Sequence, residues 1–190
     1  LIMKYLLFIL FSISISFAQN INCKYDYEDK TDSTFVKVLA EKLIYERVFG
    51  DSKEMIQFVL INNNGIPTLN LQFIQTSKDF ISANCLNKTS RIVFQLANGK
   101  IVSLISNTED ICNTLVYNEK DNRNIRILDG YFLFTKNNYE ELKKSPINLM
   151  RIQFTNGAKD FVIKKEIHSE LLNTTFYPEN IFIDFLNCIE

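Results

Sequence analysis

The sequence predicts an α+β fold, mostly antiparallel β-sheet built from Asn-Gly hairpins, with a short middle helix and a C-terminal helix. Three observations predict it. Asn-Gly pairs at 64–65, 98–99 and 156–157 each lie between apolar segments, and Asn-Gly is the strongest short-range hairpin signal. Apolar residues recur at helical spacing only near the C-terminus, at Ile181, Phe182, Phe185, Leu186 and Ile189. The 190 residues are 46% hydrophobic with 5 Gly and 3 Pro, ordinary globular proportions that exclude a disordered or fibrous chain. With 16 Phe, 8 Tyr and no Trp, the core is expected to be rich in Phe and Ile.

From Met3 the chain reads MKYLLFILFSISISFAQN: one Lys, an apolar run to Phe17, then Ser16-Phe17-Ala18. A basic start, a short apolar stretch and small residues at −3 and −1 predict a signal peptide over 1–18, leaving a single strand-rich domain over 19–190. The run falls short of the ~20 apolar residues of a membrane span. Before Cys23 stand Asn20, Ile21 and Asn22, which lack the Leu and small residue of a lipid-attachment signal. The mature chain is therefore expected to be exported, periplasmic or secreted, without a membrane span.

Asp26, Glu28, Asp29 and Asp32 form an acidic run, expected as a solvated tail; the Gly-containing calcium loop is missing. Segment 33–49 is ambiguous. Asp32 or Ser33 suits a helix cap, but its Val, Phe, Ile and Tyr favour strand. About Asn64-Gly65 a two-residue loop sets Leu60 opposite Leu69, Phe58 opposite Leu71 and Ile56 opposite Phe73. About Asn98-Gly99 it sets Leu96 opposite Ile101, Val93 opposite Leu104 and Ile92 opposite Ile105. The same register carried outward brings Cys85 opposite Cys112, although the arms are expected to loosen beyond Arg91 and Ser106. Polar segment 118–124 reads as an exposed loop. Asp129-Gly130 offers a further hairpin, and Asn156-Gly157 sets Ile152 opposite Phe161. NNYEELKKSP reads as the middle helix, with an Asn cap, acids first, lysines last, Pro146 as its stop, and Tyr139 and Leu142 inward. The C-terminal helix starts at Pro178, a favourable first-turn position.

Four cysteines in an exported chain point to disulfides. The hairpin favours Cys85–Cys112, which leaves Cys23–Cys188. No two cysteines have zinc-knuckle spacing.

Candidate chemistry is sparse, so no catalytic, cofactor-binding or metal-ligating residue is assigned and no cofactor is expected. His168 is the one histidine, without a G-x-S-x-G elbow or phosphate loop to go with it. A net charge of −1 supplies no electrostatic reason to bind nucleic acid. Lys143-Lys144 and Lys164-Lys165 read as solvated faces.

EDKTDSTFVKVLAEKLI, IVFQLANGKIVSL and YFLFTKNNYEELKKSPINLMRI together resemble a group of small exported bacterial proteins of unknown function. That group has an Asn/Asp-Gly hairpin and a strand-helix-strand segment ending in Ile-Arg. Where it usually shows Phe-Thr-Gly, this chain reads Lys30-Thr31-Asp32-Ser33. The resemblance implies an exported, strand-rich module and brings no site residues. The functional expectation is a non-catalytic binding or envelope-associated module with a protein partner, its oligomeric state open. The alternative is an envelope hydrolase using paired carboxylates.

Overall fold

Residues 23–190 are described by a computed structural model; the signal peptide expected over 1–18 lies outside the described residues. β1 (Tyr25–Lys30), β2 (Phe35–Leu39) and β3 (Lys42–Phe49) show that segment 33–49 is strand. The acidic run does not form a tail. Its first part is β1, paired with β2 from Lys30↔Phe35 to Tyr25↔Leu39. Its carboxylates still reach water because β1 is an edge strand exposed on both faces.

β4 (Ser52–Asn63) and β5 (Ile66–Ser77) form the first hairpin in the expected register, with Leu60↔Leu69, Phe58↔Leu71 and Ile56↔Phe73. Asn64 and Gly65 have φ of 52° and 81°, the two positive values a type I′ loop requires.

β6 (Cys85–Leu86) precedes the second hairpin, β7 (Arg91–Leu96) and β8 (Ile101–Ser106). Its register is one residue away from expectation. Ile92 pairs with Leu104, Phe94 with Val102 and Gln95 with Ile101. The loop is Ala97-Asn98-Gly99, closed by the Leu96 N–H donating to Lys100 O at 2.9 Å, with Gly99 at φ 84°. A one-residue slip turns every side chain over. Ile101 and Ile105, expected to pack against Leu96 and Ile92, are 69% and 40% exposed, and Val102 and Leu104 take the core positions. The wider loop has partners elsewhere: Asn98 N–H donates to Ser145 Oγ and Ala97 N–H to Pro146 O.

β9 (Ile111–Cys112) and β10 (Thr114–Asn118) follow, then β11 (Arg123–Leu133). Segment 118–124 is a tight hairpin turn between paired β10 and β11. Asp129-Gly130 is not a turn; β11 runs through it with Gly130 opposite Leu71. The glycine serves close packing. A Cβ at 130 would lie 2.4 Å from Leu86 Cδ1 and 3.2 Å from Phe132 Cε2. Gly130→Ala is therefore expected to cost about 1–3 kcal/mol by overpacking. Thermal unfolding of a double-mutant cycle with Leu86→Val checks this: the pair should lose less than the sum of the single losses.

α1 (Lys136–Leu142) begins after Thr135, not at an Asn cap, and has no acid in its first turn or base in its last. Asn138 instead donates its amide to Ser103 O at 2.7 Å, which fixes the helix to β8. Tyr139 and Leu142 are buried as expected. β12 (Ile147–Phe154) and β13 (Gly157–Val162) turn at Thr155-Asn156, so Met150, not Ile152, faces Phe161. This slip is two residues, which changes partners but preserves faces. Met150, Ile152, Phe154 and Phe161 all stay inside. β14 (Ile167–Ser169) and β15 (Thr174–Phe176) precede α2 (Ile181–Phe185), which 3₁₀ turns flank at Pro178–Asn180 and Leu186–Ile189.

The main sheet runs β1-β2-β4-β5-β11-β8-β7-β12-β13, with β3 also on β4 and β10 also on β11. It folds over on itself. Phe73 of β5 meets Phe154 and Phe161, Phe58 of β4 meets Phe94, and Tyr45 of β3 meets Phe161. Phe182 of α2 fills the space between the layers against Phe58, Phe94 and Phe134.

Candidate functional site: an open strand edge beside a disulfide knot

Disulfides join Cys85 to Cys112 and Cys23 to Cys188. The first lies in a small ladder of its own, with Cys85 opposite Cys112 and Leu86 opposite Ile111. This knot is fixed to the main sheet by Arg126, a buried β11 residue at an inward position. Its guanidinium donates to Ile81 O and Asn113 O, both at 2.7 Å. Asn113 N–H donates to Asn84 O at 3.0 Å, and Asn84 N–H to Asn113 Oδ1 at 3.1 Å. Carbonyl dipoles thus meet the buried charge, as burial of a cation requires. Sequence reasoning missed Arg126; the one available signal is a basic residue inside the apolar alternation Ile125-Arg126-Ile127-Leu128.

The clamp at Asn113 leads directly into β10. That strand pairs with β11 on one side only, from Thr114↔Ile127 to Asn118↔Arg123. Its alternate backbone N–H and C=O groups on the other side face solvent. Val116 projects beside Ile125 and Ile127 on one face, while Leu115 and Tyr117 lie on the other. Val116 and Tyr117 are each 54% exposed and Ile127 48%. The Tyr117 hydroxyl donates to Asn122 Oδ1, which holds the turn. On the same face as Val116 an open groove of about 570 Å³ is lined by Met55, Ile74, Ile125 and Leu171 together with Lys53, Thr76, Asp121 and Arg123.

Two other free edges are protected by charge. β1 carries Asp26, Glu28, Asp29 and Lys30, and β13 carries Lys159 and Asp160. β10 reads Thr-Leu-Val-Tyr-Asn, with no charge, no proline and no bulge in its pairing. Sheet proteins normally block such an edge. Charges flank it instead: Asp110 and Glu109, the latter paired with Lys88, before, and Glu119, Lys120 and Asp121 after.

His168 is exposed on β14, its Nδ1 3.2 Å from Thr175 Oγ1. Glu54 pairs with Lys159 and accepts from the Gln75 amide at 3.1 Å. Lys143 pairs with Glu190 at 2.5 Å, while Lys164 and Lys165 are exposed. Among the described residues no group of three or more His, Cys, Asp or Glu is arranged to hold a metal ion, and no helix is long and apolar enough to cross a membrane. No protein-family model, no curated protein and no solved structure matches the chain, so the chemistry of the edge itself carries its functional reading.

Proposed function

We propose that the chain is an exported, non-catalytic binding module that captures an extended segment of a protein partner along β10. One observation carries this reading: an uncharged strand with apolar side chains on both faces and one unpaired backbone edge. Strand addition supplies main-chain hydrogen bonds, and alternate side-chain contacts supply selectivity. Asp110 before the strand favours a segment with Lys or Arg at the end that meets it, while the mixed charges after the strand favour neither sign. Export, to the periplasm or outside the cell, is supported by the two disulfides, the apolar leader and the resemblance to exported bacterial proteins. The hydrolase alternative has less support. Asp184 is the one carboxyl pushed upward by burial, and among the described residues no second carboxylate lines its cleft.

Panning random linear peptides against the oxidised protein tests the proposal. Selected peptides should alternate apolar residues and carry a basic residue at the end that meets Asp110. Leu115→Lys with Val116→Lys should weaken them roughly tenfold or more, about 1.4 kcal/mol, while the thermal midpoint moves only a few degrees because both positions are exposed. Equal binding to the doubly substituted protein would sink the β10 assignment. A dimer whose formation depends on β10 would replace the partner with a second copy.

A further inference from the structure

A cavity of about 190 Å³ opens between β3, β15 and α2. Leu43, Phe176, Ile181 and Phe185 supply apolar wall, and Lys42 and Asp184 supply the charges. The Lys42 ammonium lies 4.5 Å from the centre of the Phe185 ring. Among the described residues, the side chains of Lys42 and Asp184 make no hydrogen bond or ion pair, with each other or with any neighbour. Burial pushes the Asp184 carboxyl up and the Lys42 ammonium down, the latter partly offset by Asp26. Two opposite, half-buried charges therefore line one apolar cleft, Lys42 already met by the Phe185 ring face and the field of Asp26.

A ligand that meets both needs an ammonium, a carboxylate and an apolar body. We infer that this cleft binds a free amino acid with an aliphatic or aromatic side chain, its ammonium on Asp184 and its carboxylate on Lys42. An apolar cavity of ~150 Å³ accommodates benzene, so about 190 Å³ encloses the polar head and part of the side chain, and a leucine or phenylalanine side chain extends through the open side. Thr175, exposed Tyr177 and buried Pro178 complete the lining of this half-open cleft. This site is independent of the β10 reading.

Calorimetric titration of the oxidised full chain with L-leucine and L-phenylalanine tests the inference, alongside the amide and N-acetyl derivative of each. Saturable binding of the free amino acids is expected. The amide lacks the carboxylate, so it should bind at least tenfold more weakly and be indifferent to Lys42→Met. The N-acetyl derivative lacks the ammonium and should be indifferent to Asp184→Asn. Both positions are half-buried and neither side chain makes an ion pair among the described residues, so the thermal midpoint should move by only a few degrees, which separates lost binding from lost folding. No saturable heat at millimolar amino acid, or equal affinity in wild type and both variants, would overturn the site.

Discussion

Replacing Cys23 and Cys188 together with serine should lower the unfolding free energy by up to about 5 kcal/mol. The bond closes a loop of 165 residues, and the entropy it removes from the unfolded chain grows slowly with loop length. Cys85–Cys112 closes only 27, so its double serine variant should lose less, about 3.5 kcal/mol. The folded state should keep its shape in the first variant. The Tyr25 hydroxyl still donates to Cys188 O and the Asn62 amide to Ile189 O, both at 2.8 Å. The loss therefore lies mainly in the unfolded ensemble. Urea unfolding reports it twice, as a lower midpoint and as a steeper dependence on denaturant from a more expanded unfolded chain. A larger loss from the shorter loop would show that native contacts, not chain freedom, set the ranking. Against a typical total of about 5–15 kcal/mol, the long-loop bond decides whether the domain stays folded in a reducing compartment.

Phe182→Ala should cost about 3–5 kcal/mol. The ring is 1% exposed and touches aromatic partners from three separate segments. Phe94 lies at 5.1 Å, Phe134 at 5.8 Å and Phe58 at 6.3 Å, measured between centroids. Phe58 and Phe94 belong to different layers of the folded sheet, so collapse around the vacated space requires both layers to move. Interiors are close-packed and resist that. Phe182→Leu retains most of the apolar volume and should cost less than half as much. The two measurements together separate lost ring volume from a general weakening of α2. Near-equal losses for Ala and Leu would contradict the plug role.

What could be read from the residues was the local chemistry. Asn-Gly announced where the chain doubles back at 64–65, and there the tertiary contact, Asn64 exchanging hydrogen bonds with the Phe35 backbone at 2.9 and 2.8 Å, is compatible with the two-residue loop, so the intrinsic register survives. At 98–99 the same dipeptide lies against Ser145 and Pro146, and tertiary contacts lengthened the loop by one residue. Gly130 imitated a turn because its function, room for Leu86, depends on a segment more than forty residues away. The β-branched and aromatic content of 33–49 correctly favoured strand. The candidate sites were less legible. An unpaired edge at β10 is a property of the sheet's path: β8 pairs with β11 only at Phe132 and Leu133. Lys42 of β3 and Asp184 of α2 line one cavity because of where α2 packs, and no spacing rule brings them together.

The placement of α2 also governs how the molecule can be made. Residues 178–189 are synthesised after every strand they cover, so Phe58, Phe94 and Phe134 emerge with no lid. Throughout that interval the Cys23 thiol has no legitimate mate, while Cys85 and Cys112 have already been made. Vectorial synthesis thus leaves a window in which oxidation would pair Cys23 wrongly, and any such bond would have to be undone by thiol exchange after the final turn arrives.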